Sequence, residues 1–514
     1  VKLSLRAALA GLAAAGVALG VAEIVAVLTG PLSSPLFAVG GVVVDNVPAP
    51  VKDAGIAVFG THDKTALLTG TAVLLAGYAA LLGVLALRSR VVAPAGIALF
   101  AVIGVAAALT RNDAGLTAAL PTLAGAVAAY LALRYLLRTA LAGEGGDLKG
   151  SEPEAVQPGM YREGGRRRFL IGLGAASGVA AVGGVGGRLL TSRRAVTAAR
   201  AAVVLPPAPP AAPIPAGAQV DGAAAYVTSN ADFYRIDTAL YPPQIDPSTW
   251  ELRIHGMVRN PITITWEQLL RRPMVQRYVT LACVSNEVGG DLIGNALWLG
   301  TPIKDLLDEA QPLPGADQVV QRSSDGWTCG SPTAVLTDGR DALLAVGMNG
   351  EPLPVRHGFP VRMVVPGLYG YVSACKWITE IELTRFADFD AYWVPRGWSA
   401  LGPIKTESRI DTPRDGAERK AGPVTVAGVA WAQHRGITKV EVQVDDGPWA
   451  PATLAPVVSV DTWVQWSYAW PATAGEHTLR VRATDKDGQT QTSTPAAPAP
   501  DGATGWHSVQ VTVG

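Results

Sequence analysis

Five stretches of this chain are too long and too apolar to be ordinary elements of a water-soluble domain. They run over about residues 7–28, 66–87, 91–110, 115–141 and 169–190, and each approaches the ~20 residues with which a helix crosses ~30 Å of hydrocarbon. Their placement explains a composition that fits no single class of protein. The 514 residues are 49% hydrophobic and only 16% charged, against about 25% charged in soluble domains. Residues 1–142 contain just 14 Asp, Glu, Lys or Arg. The sequence therefore predicts an all-α transmembrane bundle of four spans over residues 1–142 and a fifth span at 169–190. The 42 basic and 42 acidic side chains cancel, and no basic block is longer than Arg166–Arg168, which excludes a surface that tracks nucleic-acid phosphates. Intrinsic disorder is excluded too, apart from linkers.

Basic residues orient the spans. Lys2 and Arg6, Arg88 and Arg90, and Arg134, Arg138, Lys149, Arg162 and Arg166–Arg168 all fall on one side, which the positive-inside rule makes cytoplasmic. Five spans that start inside leave everything after residue 190 outside. The expected cytoplasmic loop, 143–168, leads through Arg166-Arg167-Arg168-Phe169-Leu170 into a Gly/Ala-rich, weakly hydrophobic segment. That is the pattern of a twin-arginine export signal; a plain stop-transfer flank leaves the same trace. Export of this kind carries folded proteins, so the outer part is expected to acquire a cofactor before it crosses. A signal behind four spans is expected to stay as an anchor, with Ala199-Arg200-Ala201 the place for signal-type cleavage. Gly174-x-x-x-Gly178 has the spacing that lets helix backbones approach closely; ordinary Gly-rich packing leaves the same trace. No histidine lies in the spans, the nearest being His62 in the first outer loop, so a haem between two transmembrane histidines has no ligands. Glu23 is an acid within a span, either a proton or quinone contact or a group paired inside the bundle.

Beyond the spans, residues 203–217 read Val-Val-Leu-Pro-Pro-Ala-Pro-Pro-Ala-Ala-Pro-Ile-Pro-Ala-Gly. This is a polyproline II spacer, reaching roughly 45 Å at ~3.1 Å per residue, and it is expected to hold the outer part away from the bilayer. Over 220–415, short β-type runs (Trp250–His255, Arg277–Ala282, Val361–Val365, Ile378–Leu383) mix with helix-like stretches (Thr265–Arg271, Ile303–Glu309), giving an α+β domain. Over 420–514, strands alternate (Val424–Val429, Lys439–Val444, Val464–Ala469, His477–Ala483, Ser508–Val513), with turns at Asp445-Asp446-Gly447 and Lys486-Asp487-Gly488. That spacing predicts an immunoglobulin-like β-sandwich.

Cys283, Cys329 and Cys375 all fall in the α+β domain, without Cys-x-x-Cys or Cys-x-x-Cys-His. Zinc ribbons, iron–sulfur clusters and c-type haem therefore lack their ligand patterns. In an exported protein a disulfide between two of them is the simplest expectation, leaving one thiol. Cys283 is the candidate for that thiol, because it ends the run Tyr278-Val279-Thr280-Leu281-Ala282 at a strand-to-loop exit where a soft thiolate can bind a metal. A buried core cysteine fits the same residues.

Cys283-x-x-Asn286, then Ile293-Gly294-x-Ala296-x-Trp298-x-Gly300, Ser324-Asp325-Gly326, His357-Gly358-Phe359-Pro360-Val361-Arg362 with Val365-Pro366-Gly367, and Lys376-Trp377 resemble the sulfite oxidase family of molybdopterin enzymes in order and spacing. Upstream, Asn230-Ala231-Asp232-Phe233-Tyr234-Arg235 resembles that family's first pterin-binding segment. Downstream, Gly428-x-Ala430-Trp431, Val440-Glu441-Val442 and Val481-Arg482-Ala483-Thr484-Asp485 resemble its C-terminal immunoglobulin-like dimerisation domain. The resemblance covers about 225–514. It implies a molybdenum-molybdopterin cofactor, with Cys283 as the catalytic protein thiolate on the metal, a soft ligand that leaves positions open for atom transfer. It assigns Asn230, Phe233, Tyr234, Asp325, His357, Arg362, Ser373 and Lys376 to the pterin and its phosphate, the two cations neutralising the phosphate. It also implies a homodimer through the C-terminal domain.

Two departures bear on substrate. Sulfite oxidases place an arginine after the asparagine of the cysteine motif, where it helps bind the sulfite anion; here Glu287 and Val288 follow. Where the family has an active-site tyrosine followed by lysine, this chain has Trp398 and Ser399. Arg396, Lys405 and Arg409 are candidates for a replacement cation. The expectation is a membrane-anchored extracytoplasmic oxidoreductase that transfers an oxygen atom to or from a small substrate, exchanging two electrons with a separate carrier, a cytochrome or the quinone pool. The missing arginine equally suits a sulfoxide-type reductase of the same family. A non-catalytic surface binding protein built on the same domains is the alternative from another class.

Overall fold

The computed structural model describes residues 3–30, 33–47, 58, 63–110, 115–142, 160–194 and 196–514. The chain divides into two units, Val1–Ala198 with Thr238–Pro242, and Ala199–Asp237 with Pro243–Gly514. The first is helical: α1 (Leu3–Thr29), α2 (Pro35–Asn46), α3 (Asp63–Leu85), α4 (Val92–Leu109), α5 (Leu120–Ala142) and α6 (Met160–Arg194). Five segments are long and apolar enough to cross a membrane, Leu3–Thr29, Thr65–Leu85, Val92–Leu109, Leu116–Leu141 and Arg167–Gly187, in step with the five apolar runs. Helix α2, unforeseen, has 12 residues and at 1.5 Å per residue is too short to span. His62 and residues 143–159 of the expected loop lie outside the described residues.

Helix α1 is the packing centre of this unit, with Ala7, Ala10, Ala13, Ala14 and Val17 buried. Small residues let backbones nearly touch. A Cβ at Gly11 would strike the Ala79 carbonyl of α3, and one at Gly83 would strike the Ala7 carbonyl. On α6 the expectation from Gly174-x-x-x-Gly178 is corrected, since both glycines face open space. The α1–α6 seam is instead made by Gly183 against Gly20 and Gly187 against Glu23. The reason is rotational phase: Ala176, Ala180, Gly183 and Gly187 recur at four, three and four residues on one helix face, whereas Gly174 and Gly178 lie two residues out of step. Glu23 is buried and accepts a 2.7 Å hydrogen bond from the Ser34 hydroxyl, which pairs it within the bundle.

The second unit begins with the proline-rich segment, whose role as a free spacer is also corrected. Val203, Leu205 and Ala208 pack against the hydrophobic core that follows, and Arg200 donates to the carbonyls of Leu353 (2.8 Å) and Pro352 (2.6 Å). The segment is extended but docked, because its apolar side chains gain more from burial than from water. Two five-stranded sheets follow. One runs Ile262–Thr265, Glu251–Gly256, Ile378–Thr384, Gln318–Ser323, Thr328–Pro332, with Glu251–Gly256 and Ile378–Thr384 parallel. The other pairs Val275–Ala282 with Ile293–Pro302, then Leu343–Met348, which takes both Glu351–Pro352 and Arg362–Val364. Helix Trp266–Leu270 starts at a Thr265/Gln268 capping box, and Ile303–Ala310 turns Ile303, Leu306, Leu307 and Ala310 inward. The domain is thus more β-rich than the α+β pattern suggests.

Residues 407–514 form a sandwich of a four-stranded and a five-stranded sheet, with Val426, Trp466, Val442, Leu479, Val481 and Val511 at its centre. All five expected strands are present. Two of its tryptophans leave it: Trp431 and Trp463 are buried in the core of the preceding domain, Trp463 donating through Nε1 to the Tyr226 carbonyl (3.0 Å) and through its backbone N–H to Thr280 Oγ1 (2.8 Å). A shared core explains why the two domains form one unit.

Candidate functional site

Cys283 sits where Val275–Ala282 gives way to the loop leading into Ile293–Pro302. Its backbone N–H donates to the Leu292 carbonyl (2.9 Å), closing the loop. Asn286, the other fixed residue of the cysteine motif, is a strut here: its side-chain oxygen accepts from Leu292 N–H (2.8 Å), and its own N–H returns to the Cys283 carbonyl (3.1 Å). The thiol is free and buried. Burial pushes it up from its ordinary value, while hydrogen bonds from Ser285 and the charge of Lys376 oppose that shift.

Around this thiol the structure gathers most of the expected residues. Arg362 and Lys376 face each other across an isolated antiparallel bridge. Gly358, at φ +113, makes that approach possible, since a Cβ there would lie 2.9 Å from Arg362 Cβ. Arg362 is buried; it donates to the carbonyls of Met363 (3.2 Å) and His357 (3.2 Å) and lies 5.0 Å from the centre of the Trp298 ring. Among the described residues it has no carboxylate partner, and burial pulls it down to about 10. Lys376 is paired, its Nζ 2.5 Å from Asp237 Oδ2, yet burial still lowers it to about 8 against the pull of Asp237. His357 bonds the Asn230 carbonyl through Nε2 at 3.1 Å, so Nε2 carries the proton and Nδ1 is left as an acceptor. Burial, with Arg362 adding to it, lowers the ring to about 3 and keeps it neutral. Phe233 stacks on Tyr234 (5.2 Å) and meets His357 and Trp298 edge-on (5.7 Å each). Gly294 is the cradle that admits this ring, since a Cβ there would lie 2.8 Å from it. Tyr234 senses both Cys283 and Arg362, and burial raises its hydroxyl.

Three expected residues use their side chains elsewhere. Asn230 donates to Glu351 (2.5 Å) and the Met348 carbonyl (3.3 Å) and accepts from Asn349 (2.9 Å), so it presents its backbone carbonyl to His357. Ser373 donates to the Tyr369 carbonyl (2.9 Å). Asp325 accepts from Trp327 N–H (3.1 Å), shaping its turn; burial raises it, with Ser323 and Lys376 opposing. Two residues were not foreseen. Asp237, held also by Arg235 (2.9 Å), sits in a loop whose sequence carries no signal. Tyr369, its hydroxyl raised by burial and by Glu407 and, less, by Cys283, and accepting from Lys405 N–H (3.4 Å), precedes Gly370 in a motif that looks merely structural. The three candidate replacement cations are engaged: Arg396 lies over the Tyr392 ring, Lys405 bonds Asp501 (2.8 Å), and Arg409 bonds Asp411 (2.6 Å) and the Gly290 carbonyl (2.7 Å). Trp398 packs on Tyr371 and Trp393. All three cysteines are free thiols.

The site fits an anionic, metal-bearing cofactor. A buried guanidinium without an acid is costly unless an anion completes it, and a soft thiol lies in the same cluster. No three His, Cys, Asp or Glu side chains among the described residues converge as a metal-ligand set.

Comparison with known proteins agrees. Residues 239–393 match the family model described as oxidoreductase molybdopterin binding domain, and 407–481 match bacterial Ig domain. Human mitochondrial sulfite oxidase is 28% identical over 303 residues, covering 50% of this chain and 55% of that protein. The uncharacterized oxidoreductase YuiH of Bacillus subtilis is 31% identical over 169 residues, covering 32% of this chain and 81% of that protein. The crystal structure of the sulfane dehydrogenase SoxCD from Paracoccus pantotrophus superposes with a TM-score of 0.49 at 22% identity, over 56% of this chain and 81% of that one. The chain spans little more than half the length of the sulfite oxidases it matches. From Cys283, the buried cations, the matched family model and the two sequence relatives, the chain belongs to the sulfite oxidase family of molybdopterin-dependent oxidoreductases, and its cofactor is molybdenum-molybdopterin.

Proposed function

We propose that this protein is a membrane-anchored extracytoplasmic oxidoreductase that transfers an oxygen atom to or from a small, uncharged substrate, of which a sulfoxide is the type. The observation that carries the reading is the unpaired Arg362 guanidinium in one buried cluster with Cys283. When bound, the cofactor supplies two-electron redox chemistry and oxygen-atom transfer. Cys283 anchors the metal. Arg362 and Lys376 would hold the cofactor's anionic charge, Phe233 and Tyr234 would provide an aromatic wall, and neutral His357 would leave Nδ1 as an acceptor for it. The uncharged substrate follows from the missing arginine at Glu287 and from the engagement of Arg396, Lys405 and Arg409, which leaves sulfite dianion uncompensated. The five apolar segments with basic residues to one side support the anchor and the orientation, and the Arg166–Leu170 pattern supports export after cofactor loading. Electrons pass to or from a separate carrier.

The test is metal and pterin analysis of the purified full chain, followed by turnover with sulfite and with methionine sulfoxide. Stoichiometric molybdenum and activity on the sulfoxide are expected, with Cys283→Ser retaining the fold and losing turnover. Folded protein without molybdenum, or a preference for sulfite, overturns the reading. Reporter fusions after residue 514 establish the side of the membrane.

A further inference from the structure

Two of the three cysteines have no part in the site, yet they lie against it. Cys329 is in Thr328–Pro332, the strand that leaves the Ser324-Asp325-Gly326 turn, and Cys375 immediately precedes Lys376. Both are fully buried and free, and Cys329 adds to burial in pushing the Cys375 thiol up, as a near neighbour does. The two segments are already stitched by one glutamine. Gln321 pairs with Cys329 in the sheet, its side-chain oxygen accepts from Cys375 N–H (3.3 Å), and its side-chain nitrogen donates to Ser331 Oγ (2.9 Å), which donates to the Val372 carbonyl (2.7 Å). Gln321 and Cys329, directly opposite in the sheet, share one face, and Cys375 lies over that face at the Gln321 amide.

We propose that Cys329 and Cys375 are a redox pair that closes to a disulfide in oxidising surroundings and staples the turn carrying Asp325 to the segment carrying Lys376. The two thiols give up two protons and two electrons as the S–S bond forms. A small or protein disulfide accepts them and becomes two thiols. Burial holds the Cys375 thiol protonated, and a thiol is not the attacking species. Closure therefore accompanies an opening of the pocket after export, and the closed domain resists oxidation. The cross-link spans residues 329–375, a loop long enough for the restriction of the unfolded chain to stabilise the domain. Its effect on cofactor retention rests on the proposed roles of Asp325 and Lys376; its formation does not.

Full-length protein in detergent is opened briefly with low denaturant in glutathione disulfide or in dithiothreitol, then denatured, alkylated with iodoacetamide and weighed intact. The reduced sample is expected to carry three adducts, one for each cysteine, and the oxidised sample one, mapped to Cys283. Cys329→Ser and Cys375→Ser are each expected to keep both remaining thiols open to alkylation. The oxidised protein is expected to melt about 5 °C higher or more, and Cys329→Ser/Cys375→Ser to lose that rise. Three adducts after oxidation, a bridge through Cys283, or glutathione adducts in place of the bridge overturn the proposal. Pterin release, followed by fluorescence, is expected to slow in the bridged form. If the bridge forms and the melting point rises while release is unchanged, the retention role falls with the cofactor assignment of Asp325 and Lys376, and the redox pair stands.

Discussion

Arg362 and Lys376 are direct neighbours across a single antiparallel bridge, and both are buried, yet only Lys376 has a carboxylate at hand, Asp237 at 2.5 Å. The pair is thus one compensated cation and one waiting for an anion.

Arg362→Met is expected to leave the cofactor-free protein as stable as the wild type or more so, by up to about 2 kcal/mol, because a lone buried charge is replaced by a side chain of similar reach. Pterin content should fall at least tenfold. Denaturant midpoints and pterin fluorescence on the same preparations check both halves; a loss of stability with pterin retained refutes the assignment.

Lys376 titrates near 8 in the folded protein, below its ordinary 10.5. Between those values the unfolded chain binds more protons than the folded one, so the stability of cofactor-free protein should rise with pH across this window, by roughly 2–3 kcal/mol. The penalty is fully present below pH 8 and gone above about 10.5. Lys376→Met should remove the slope, as measured by urea unfolding at a series of pH values.

Glu407 poses the reverse case. It is buried at the start of the C-terminal sandwich, accepts from Gln491 at 3.2 Å, and is pushed up to about 8 by burial, with Lys405 opposing. Here the folded state keeps a proton that the unfolded chain has lost, so stability falls as pH climbs from about 4.5 to 8 and stays reduced above that. Glu407→Gln should match the wild type near pH 4.5 and exceed it by roughly 3–5 kcal/mol at pH 8 or above. Equal stabilities at pH 8 would show that the carboxylate is solvated.

In the helical unit, Gly183→Leu and Gly83→Leu should lower the melting temperature in detergent or prevent folding, since each side chain would enter a facing backbone. Gly174→Leu and Gly178→Leu should be tolerated within about 0.5 kcal/mol, having open space. Equal sensitivity at all four positions is the result that contradicts the packing.

The Cys-x-x-Asn spacing was legible because the motif is local: the thiol must leave a strand and the asparagine must close the loop behind it, and both fall within ten residues of chain. His357 and Arg362 were legible for the same reason, lying on one glycine-containing turn. Asn230 and Ser373 were legible as parts of motifs but not in role, because a side chain can serve the local backbone as readily as a ligand. Asp237 and Tyr369 could not be picked out, since what distinguishes them is a partner far away in sequence.

By itself the sequence determined the five apolar helices, the alternating strands of the C-terminal sandwich and the cysteine at its strand exit. Each follows from residue type and short-range periodicity, through the cost of exposing or burying a regular element. Tertiary structure alone decided which glycines of α6 meet α1, because helix rotation is set by the neighbour. It docked the proline-rich segment, drew Trp431 and Trp463 into the adjoining core, gave Lys376 its acid and withheld one from Arg362, and brought Cys329 against Cys375. Those outcomes depend on side chains that meet only after the chain has closed long loops, and short-range pattern carries no record of such contacts.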